Sequence, residues 1–174
     1  MAVELLTSLL VGFIQIAIGF ALSVFSIYFS LRLMDKMTGD IDEWKEIKKG
    51  NVAVGLLFAS VILSVVLIVE PTIVSSIALF STRLSIIQFM FSIMFVAINS
   101  AVAIIFAIAG IYLSMRALDY LTYDINEITE LKKGNVAVAL YMAAFILAVS
   151  VVISGTVTAV VNSLGILSYL PLID

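Results

Sequence analysis

The chain contains no cysteine and no histidine. Without thiols it forms no disulfide and offers no thiolate nucleophile or metal ligand; without imidazole it has no Ser-His-Asp relay and no histidine-held metal or haem. Charge is the second scarcity. Only 12% of the residues are charged, against about 25% in an ordinary soluble domain. Nine Lys and Arg against twelve Asp and Glu leave a formal net charge of -3, so there is no basic excess from which to expect direct nucleic-acid binding. These absences speak against a soluble globular enzyme, and the sequence offers no catalytic, cofactor-binding or metal-binding residue and implies no cofactor.

What fills the chain is apolar: 63% of its 174 residues are hydrophobic and the mean hydropathy is +1.25. Uncharged stretches run from Leu5 to Leu31, Val52 to Val69, Leu84 to Met115 and Val136 to Ile173. About 20 mainly apolar residues cross about 30 Å of hydrocarbon as helix, so each stretch reads as one transmembrane helix. Residues 72–82 are apolar but too short to cross, and Glu70-Pro71 separates them from the span before; they read as an outer turn with helical extensions. The amino-terminal stretch carries Glu4 rather than an early Lys or Arg and far exceeds a signal-peptide core of about 7–15 residues, so it counts as the first span. Arg32, Lys36, Lys45, Lys48 and Lys49 lie in the first connection and Arg116, Lys132 and Lys133 in the third, with Arg83 alone in the second. The positive-inside rule makes the first and third connections cytoplasmic and sets both termini outside the cell membrane.

The chain is a tandem duplication. Residues 27–56 and 111–140 align without a gap at an offset of 84, with 18 of the 30 positions identical. Each unit, 1–82 and 83–174, is a helix, a charged connection and a second helix. An even number of crossings per unit makes the two hairpins parallel, related by an axis along the membrane normal rather than inverted. The expected fold class is an all-α membrane protein of four transmembrane helices in two tandem hairpins, one compact four-helix unit.

The charged connections repeat a readable pattern. Asp40 precedes Ile41, Trp44 and Ile47 with Glu43 three residues on, and Asp124 precedes Ile125, Ile128 and Leu131 with Glu127 in the same place. An acidic N-cap with Glu at the third helical position is a capping-box variant heading a short amphipathic interfacial helix. The Lys48-Lys49 and Lys132-Lys133 pairs suit its carboxyl end. Gly50 and Gly134 fit a left-handed position after the helix, and Asn51 and Asn135 are placed to cap the next span. Two uses of this Gly-Asn corner are open, a contact site for a cytoplasmic partner or a cap between helices; the cap accounts for every residue in it.

Inside the spans, Gly12, Gly19, Ser23, Ser26 and Ser30 form a heptad-like seam, matched in the second unit by Val96, Ala103, Ala107, Gly110 and Ser114. Small residues let membrane helices approach closely, so the seam reads as packing. Gln15 and Asn99 match under the same offset and lie inside spans, where amides either hydrogen-bond across a helix interface or line a polar path. Glu70 lies about 28 Å along a helix from Asn51, at the far interface, and its counterpart is Ser154. No acid sits at mid-depth, which gives no support to a proton- or sodium-coupled carrier or a charge-selective pore.

The repeated D-x-x-T-x-D-I-x-E-x-x-E-(I/L)-K-K-G-N-V-A-V connection resembles a family of small bacterial and archaeal membrane proteins, domain of unknown function 350. The matching signature is Gly50, Asn51 and Ala53, then Gly134, Asn135 and Ala137, and the resemblance covers about Tyr28–Ile68 and Tyr112–Val152. It implies tandem membrane hairpins and carries over no activity and no catalytic residue. A looser similarity is to the hairpin pilins of conjugation-type secretion systems, which are stored in the membrane and extracted into filaments.

The third uncharged stretch, 32 residues, is about 48 Å long as helix, more than the bilayer covers. Apolar helix beyond lipid calls for protein cover. Besides membrane lipid, the expected partner is therefore a further copy of the chain, in a homo-oligomer or a filament. The leading function is a non-enzymatic, self-associating membrane protein with a structural or scaffold role. A pilin-like subunit of a membrane-derived, extracellular filament and a channel or carrier are the alternatives.

Overall fold

A computed structural model describes residues 2–37, 42–77, 86–123 and 125–168. Among them six helices follow one another: α1 (Ala2–Met37), α2 (Glu43–Lys48), α3 (Val52–Ile77), α4 (Ile86–Leu121), α5 (Glu127–Lys132) and α6 (Val136–Ser168). Four of the six, α1, α3, α4 and α6, are long and apolar enough to cross a membrane. In a low-dielectric medium a helix satisfies its backbone polar groups internally, so sequences this apolar settle into uninterrupted helix. The short α2 and α5 occupy the charged connections, and α1–α3 and α4–α6 form the two hairpins.

The core runs along α3. Its Ala53, Val61 and Ile68 are wholly buried, together with Ala103 and Ala107 of α4 and Ala139 and Ile146 of α6. The contact between α3 and α6 is the most extensive; α4 lies against both of them, and α1 packs on α3 and more lightly on α4. The seam of small residues follows this arrangement. Ser26, Ser30, Ala103, Ala107, Gly110 and Ser114 are buried, while Gly12, Gly19 and Ser23 on the peripheral α1 are half-buried. The Ser26 and Ser114 hydroxyls donate to the carbonyls of Leu22 and Gly110, one turn back, which leaves no polar group from these side chains to satisfy across the interface.

Glu70-Pro71, expected to separate the span from the outer stretch, does not interrupt the helix. The helix continues through Pro71 to Ile77. Pro71 has no N–H for the carbonyl of Leu67, four residues earlier, and a missing donor in mid-helix is costly. The Ser154 hydroxyl of α6 donates to that carbonyl at 2.7 Å. A side chain of the second hairpin thus repairs the backbone gap in the first, and the helix runs on.

Gly110 sets the approach of α4 to α6. A Cβ at this position would collide with Ile153 Cδ1 and meet Ile68 Cδ1 at 3.9 Å, whereas one at Gly12 would meet nothing within 4 Å. The colliding atom ends a flexible side chain, so alanine is accommodated and a branched residue is not. Gly110→Val is expected to destabilise the protein by about 1–3 kcal/mol, and Gly12→Val to leave it unchanged or slightly more stable. Thermal unfolding in detergent distinguishes the two.

Candidate functional site

The residues with polar chemistry gather at the two corners, where α2 meets α3 and α5 meets α6. Gly50 and Gly134 have φ of 81° and 78°, a left-handed conformation that costs any residue with a Cβ. This turn closes both short helices in one pattern. Gly50 N–H donates to Ile47 and Asn51 N–H to Glu46, at 2.9 and 3.0 Å; Gly134 and Asn135 donate to Leu131 and Glu130, both at 3.0 Å. These paired bonds are a Schellman motif, which satisfies the last carbonyls of a helix before the chain turns away.

The asparagines then work in both directions. Asn51 Oδ1 accepts from Val54 N–H at 3.2 Å, and Asn135 Oδ1 accepts from Ala137 and Val138 at 3.2 and 3.3 Å, which caps α3 and α6. Their amide nitrogens reach back to the preceding helix, Asn51 Nδ2 to Glu46 Oε2 at 3.2 Å and Asn135 Nδ2 to Glu130 Oε2 at 2.8 Å. Lys49 and Lys133 pair with the other oxygen of the same carboxylates. Hydrogen bonds from Lys49 and then Asn51 hold the Glu46 carboxyl below its ordinary range, and bonds from Asn135 and then Lys133 do the same at Glu130. Glu46 and Glu130, identical in both repeats and five residues before each Asn, were not singled out in the sequence reading. That fixed spacing was the available signal.

The amino ends of the short helices are placed differently from the capping box expected at Asp40 and Asp124, which themselves lie outside the described residues. The caps are Asp42, which accepts from Lys45 N–H at 3.0 Å, and Asn126, which accepts from Thr129 N–H at 2.9 Å. Glu43 and Glu127 consequently sit at the first helical position, where the exposed N–H groups and the dipole favour a carboxylate. Capping needs only a short polar side chain, and two such positions two residues apart are equivalent by composition; the bond to the third N–H selects the later one. Both glutamates are buried, and Glu127 Oε1 has no hydrogen-bond partner among the described residues.

The two corners are not equivalent. Asn51 Nδ2 also donates to the carbonyl of Leu131, across to the second hairpin, at 2.9 Å. A Cβ on Gly134 would lie 3.9 Å from Asn51 Oδ1, so the corners abut. The intramembrane amides diverge as well: Asn99 is completely buried, whereas Gln15 is half-buried on α1. Each corner is flanked by a repeated exposed pair, with Arg32 Nε donating to the Tyr28 hydroxyl and Arg116 Nε to Tyr112, both at 3.2 Å. The guanidinium carbons lie 5.8 and 5.5 Å from the ring centres. Tyrosine and arginine suit the boundary between lipid and water, where one end of the side chain is apolar and the other wet.

Two tandem hairpins with four apolar helices and their charge at the corners define an integral membrane protein. The chain belongs to the family described as Domain of Unknown Function (DUF350), whose model matches residues 8–103 and again 92–173. No curated protein and no solved structure matches the chain.

Gly50→Ala and Gly134→Ala are each expected to cost about 1–2 kcal/mol of stability, the penalty of a left-handed residue with a Cβ. Asn51→Ala is expected to cost about 1 kcal/mol more than Asn135→Ala, because it alone removes a bond between hairpins. Thermal unfolding of the four variants checks both statements. The Glu46 and Glu130 carboxylates contribute stability that is fully present above the ordinary carboxylate pKa of about 4.3 and is lost as pH falls through their lower folded values. The unfolding temperature of the wild type is therefore expected to fall on acidification below about pH 4 more steeply than that of a Glu46→Gln, Glu130→Gln double variant.

Proposed function

We propose that the protein is a self-associating structural component of the cell membrane, a scaffold rather than an enzyme, with its charged corners in the cytoplasm and both termini outside. The observation that carries this reading is the length of α1 and α4. Each has 36 residues, about 54 Å of helix against about 30 Å of hydrocarbon. Counted from Arg32 and Arg116, the hydrocarbon ends after about 20 residues, near Gly12 and Val96, and an average tilt of about 20° adds only one or two more.

Beyond those points the helices remain apolar and uncovered. Leu5, Leu6, Leu9 and Leu10 of α1, and Ile87, Met90, Phe91 and Met94 of α4, are all exposed. Neither lipid tails nor this chain covers them, and copies of the same surface are the simplest cover. The corners support the orientation, since eight of the nine basic residues lie in the two connections at that end. Capping, ion pairing and helix termination account for most of their polar groups without a substrate.

Mass measurement in a mild detergent tests the proposal. A mass of at least twice 18.8 kDa is expected, falling towards the monomer when Leu6, Leu10, Ile87 and Met90 are changed to Ser. A wild-type protein that is strictly 18.8 kDa contradicts it.

A further inference from the structure

Repeats joined by a two-fold axis would bury equivalent helices equally. Here α3 is buried along much of its length and α6 far less, and α4 carries many buried residues where α1 has only Ser26 and Ser30 among those described. The imbalance has a position-by-position form. Ala53, Leu57, Ser60, Ser64 and Ile68 of α3 are all buried; 84 residues on, Ala137, Tyr141, Ala144, Ala148 and Val152 of α6 are all exposed. Ile68 is 0% exposed and Val152 72%. In the other direction Ser100 and Ile104 of α4 and Ala143 and Ser150 of α6 are buried, while their counterparts Ile16, Phe20, Ala59 and Val66 are exposed.

The first hairpin therefore offers one face to the second, and the second does not return it. That is a heterologous joint, whose two sides are different surfaces. Its polar contacts say the same. Asn51 donates to the second hairpin at Leu131, whereas the repeat image, Asn135 to Ile47, is not made, and among the described residues Asn135 Nδ2 donates to Glu130. A heterologous joint leaves the image of each of its sides open at opposite ends of the molecule.

We infer, building on the self-association proposed above, that copies of this chain add head to tail, the α6 face of one chain receiving the α1–α3 hairpin of the next as α3 receives the second hairpin within the chain. The occupant is a second copy because each open face is the image of one already filled, and the two open faces are the images of partners. On α6 the open positions Ala144 and Ala148 match the buried Ser60 and Ser64, so a helix can approach as closely there as it does inside the chain. Asn135 then stands opposite Ile47 of the incoming copy. The Pro71 repair does not repeat. Gly155 replaces Pro71 and Glu70 replaces Ser154, so the outer joint lacks the Ser154–Leu67 bond and is the weaker of the two.

The chain has no native cysteine, so introduced pairs report the joint directly. Leu67 and Ser154 meet across the internal joint; their images are Val151 of one copy and Glu70 of the next, both exposed. The Glu70→Cys, Val151→Cys chain, treated in native membranes with a short thiol cross-linker, is expected to give a ladder of dimers, trimers and higher species. Either substitution alone is expected to give none, and co-expressed single variants a dimer only. Leu67→Cys, Ser154→Cys is the control, closing within one chain.

A double variant that stays monomeric on a denaturing gel, while the detergent-solubilised protein has an oligomeric mass, overturns the head-to-tail joint and leaves self-association standing. Cross-linking of Val151→Cys to itself shows a two-fold contact and also overturns the joint. A monomeric mass in detergent with no ladder overturns both readings.

Discussion

In hydrocarbon a backbone carbonyl has no water to bond, so each one must find a donor inside the protein. Inside the spans, where the chain loses an N–H, that requirement decides what the freed carbonyl touches, and at the corners the helix ends leave carbonyls and N–H groups that need partners of their own. At the corners the closing carbonyls of α2 and α5 are taken by Gly50, Asn51, Gly134 and Asn135, and the opening N–H groups of α3 and α6 by the asparagine side chains. At Pro71 the orphaned Leu67 carbonyl is met by Ser154, which ties α6 to α3. The Leu131 carbonyl takes a further donor from Asn51. The two hairpins are joined, at both ends of their contact, through backbone carbonyls of one accepting side-chain donors of the other.

The bond at Pro71 also bears on why repeated sequence does not give equivalent structure. Pro71 and Ser154 have no counterparts, since Gly155 and Glu70 stand in their places. The duplication supplies two hairpins with the same corners, and the positions that differ along the spans choose how one lies on the other. The outcome is a central α3, covered on most sides, and a peripheral α1. The long, exposed outer parts of α1 and α4 are a separate feature, set by helix length against bilayer thickness.

Much of this was legible in the residues. Four uncharged stretches separated by charge give the four long helices, and the offset of 84 gives the two hairpins. Gly followed by Asn after a short amphipathic run marks each corner, because few other residue pairs suit a left-handed turn followed by a cap. The start of the short helices was not legible, since Asp40 and Asp42 are equally good caps by composition and only the bond to Lys45 N–H separates them. The course of the chain at Pro71 was not legible either. Proline reads as a break unless a donor from elsewhere fills the gap, and that donor lies 87 residues from Leu67. The inequality of Asn51 and Asn135 arises from packing between hairpins and has no local signature at all.

The central claim is that the joint between the two hairpins has a direction and that the molecule continues it beyond its own ends. Imaging the protein in a lipid bilayer tests this most directly. Rows or rings of four-helix units are expected, each placing α6 beside α1 and α3 of its neighbour with the corners on one side of the membrane. Isolated four-helix particles, or dimers related by a two-fold axis, would contradict it.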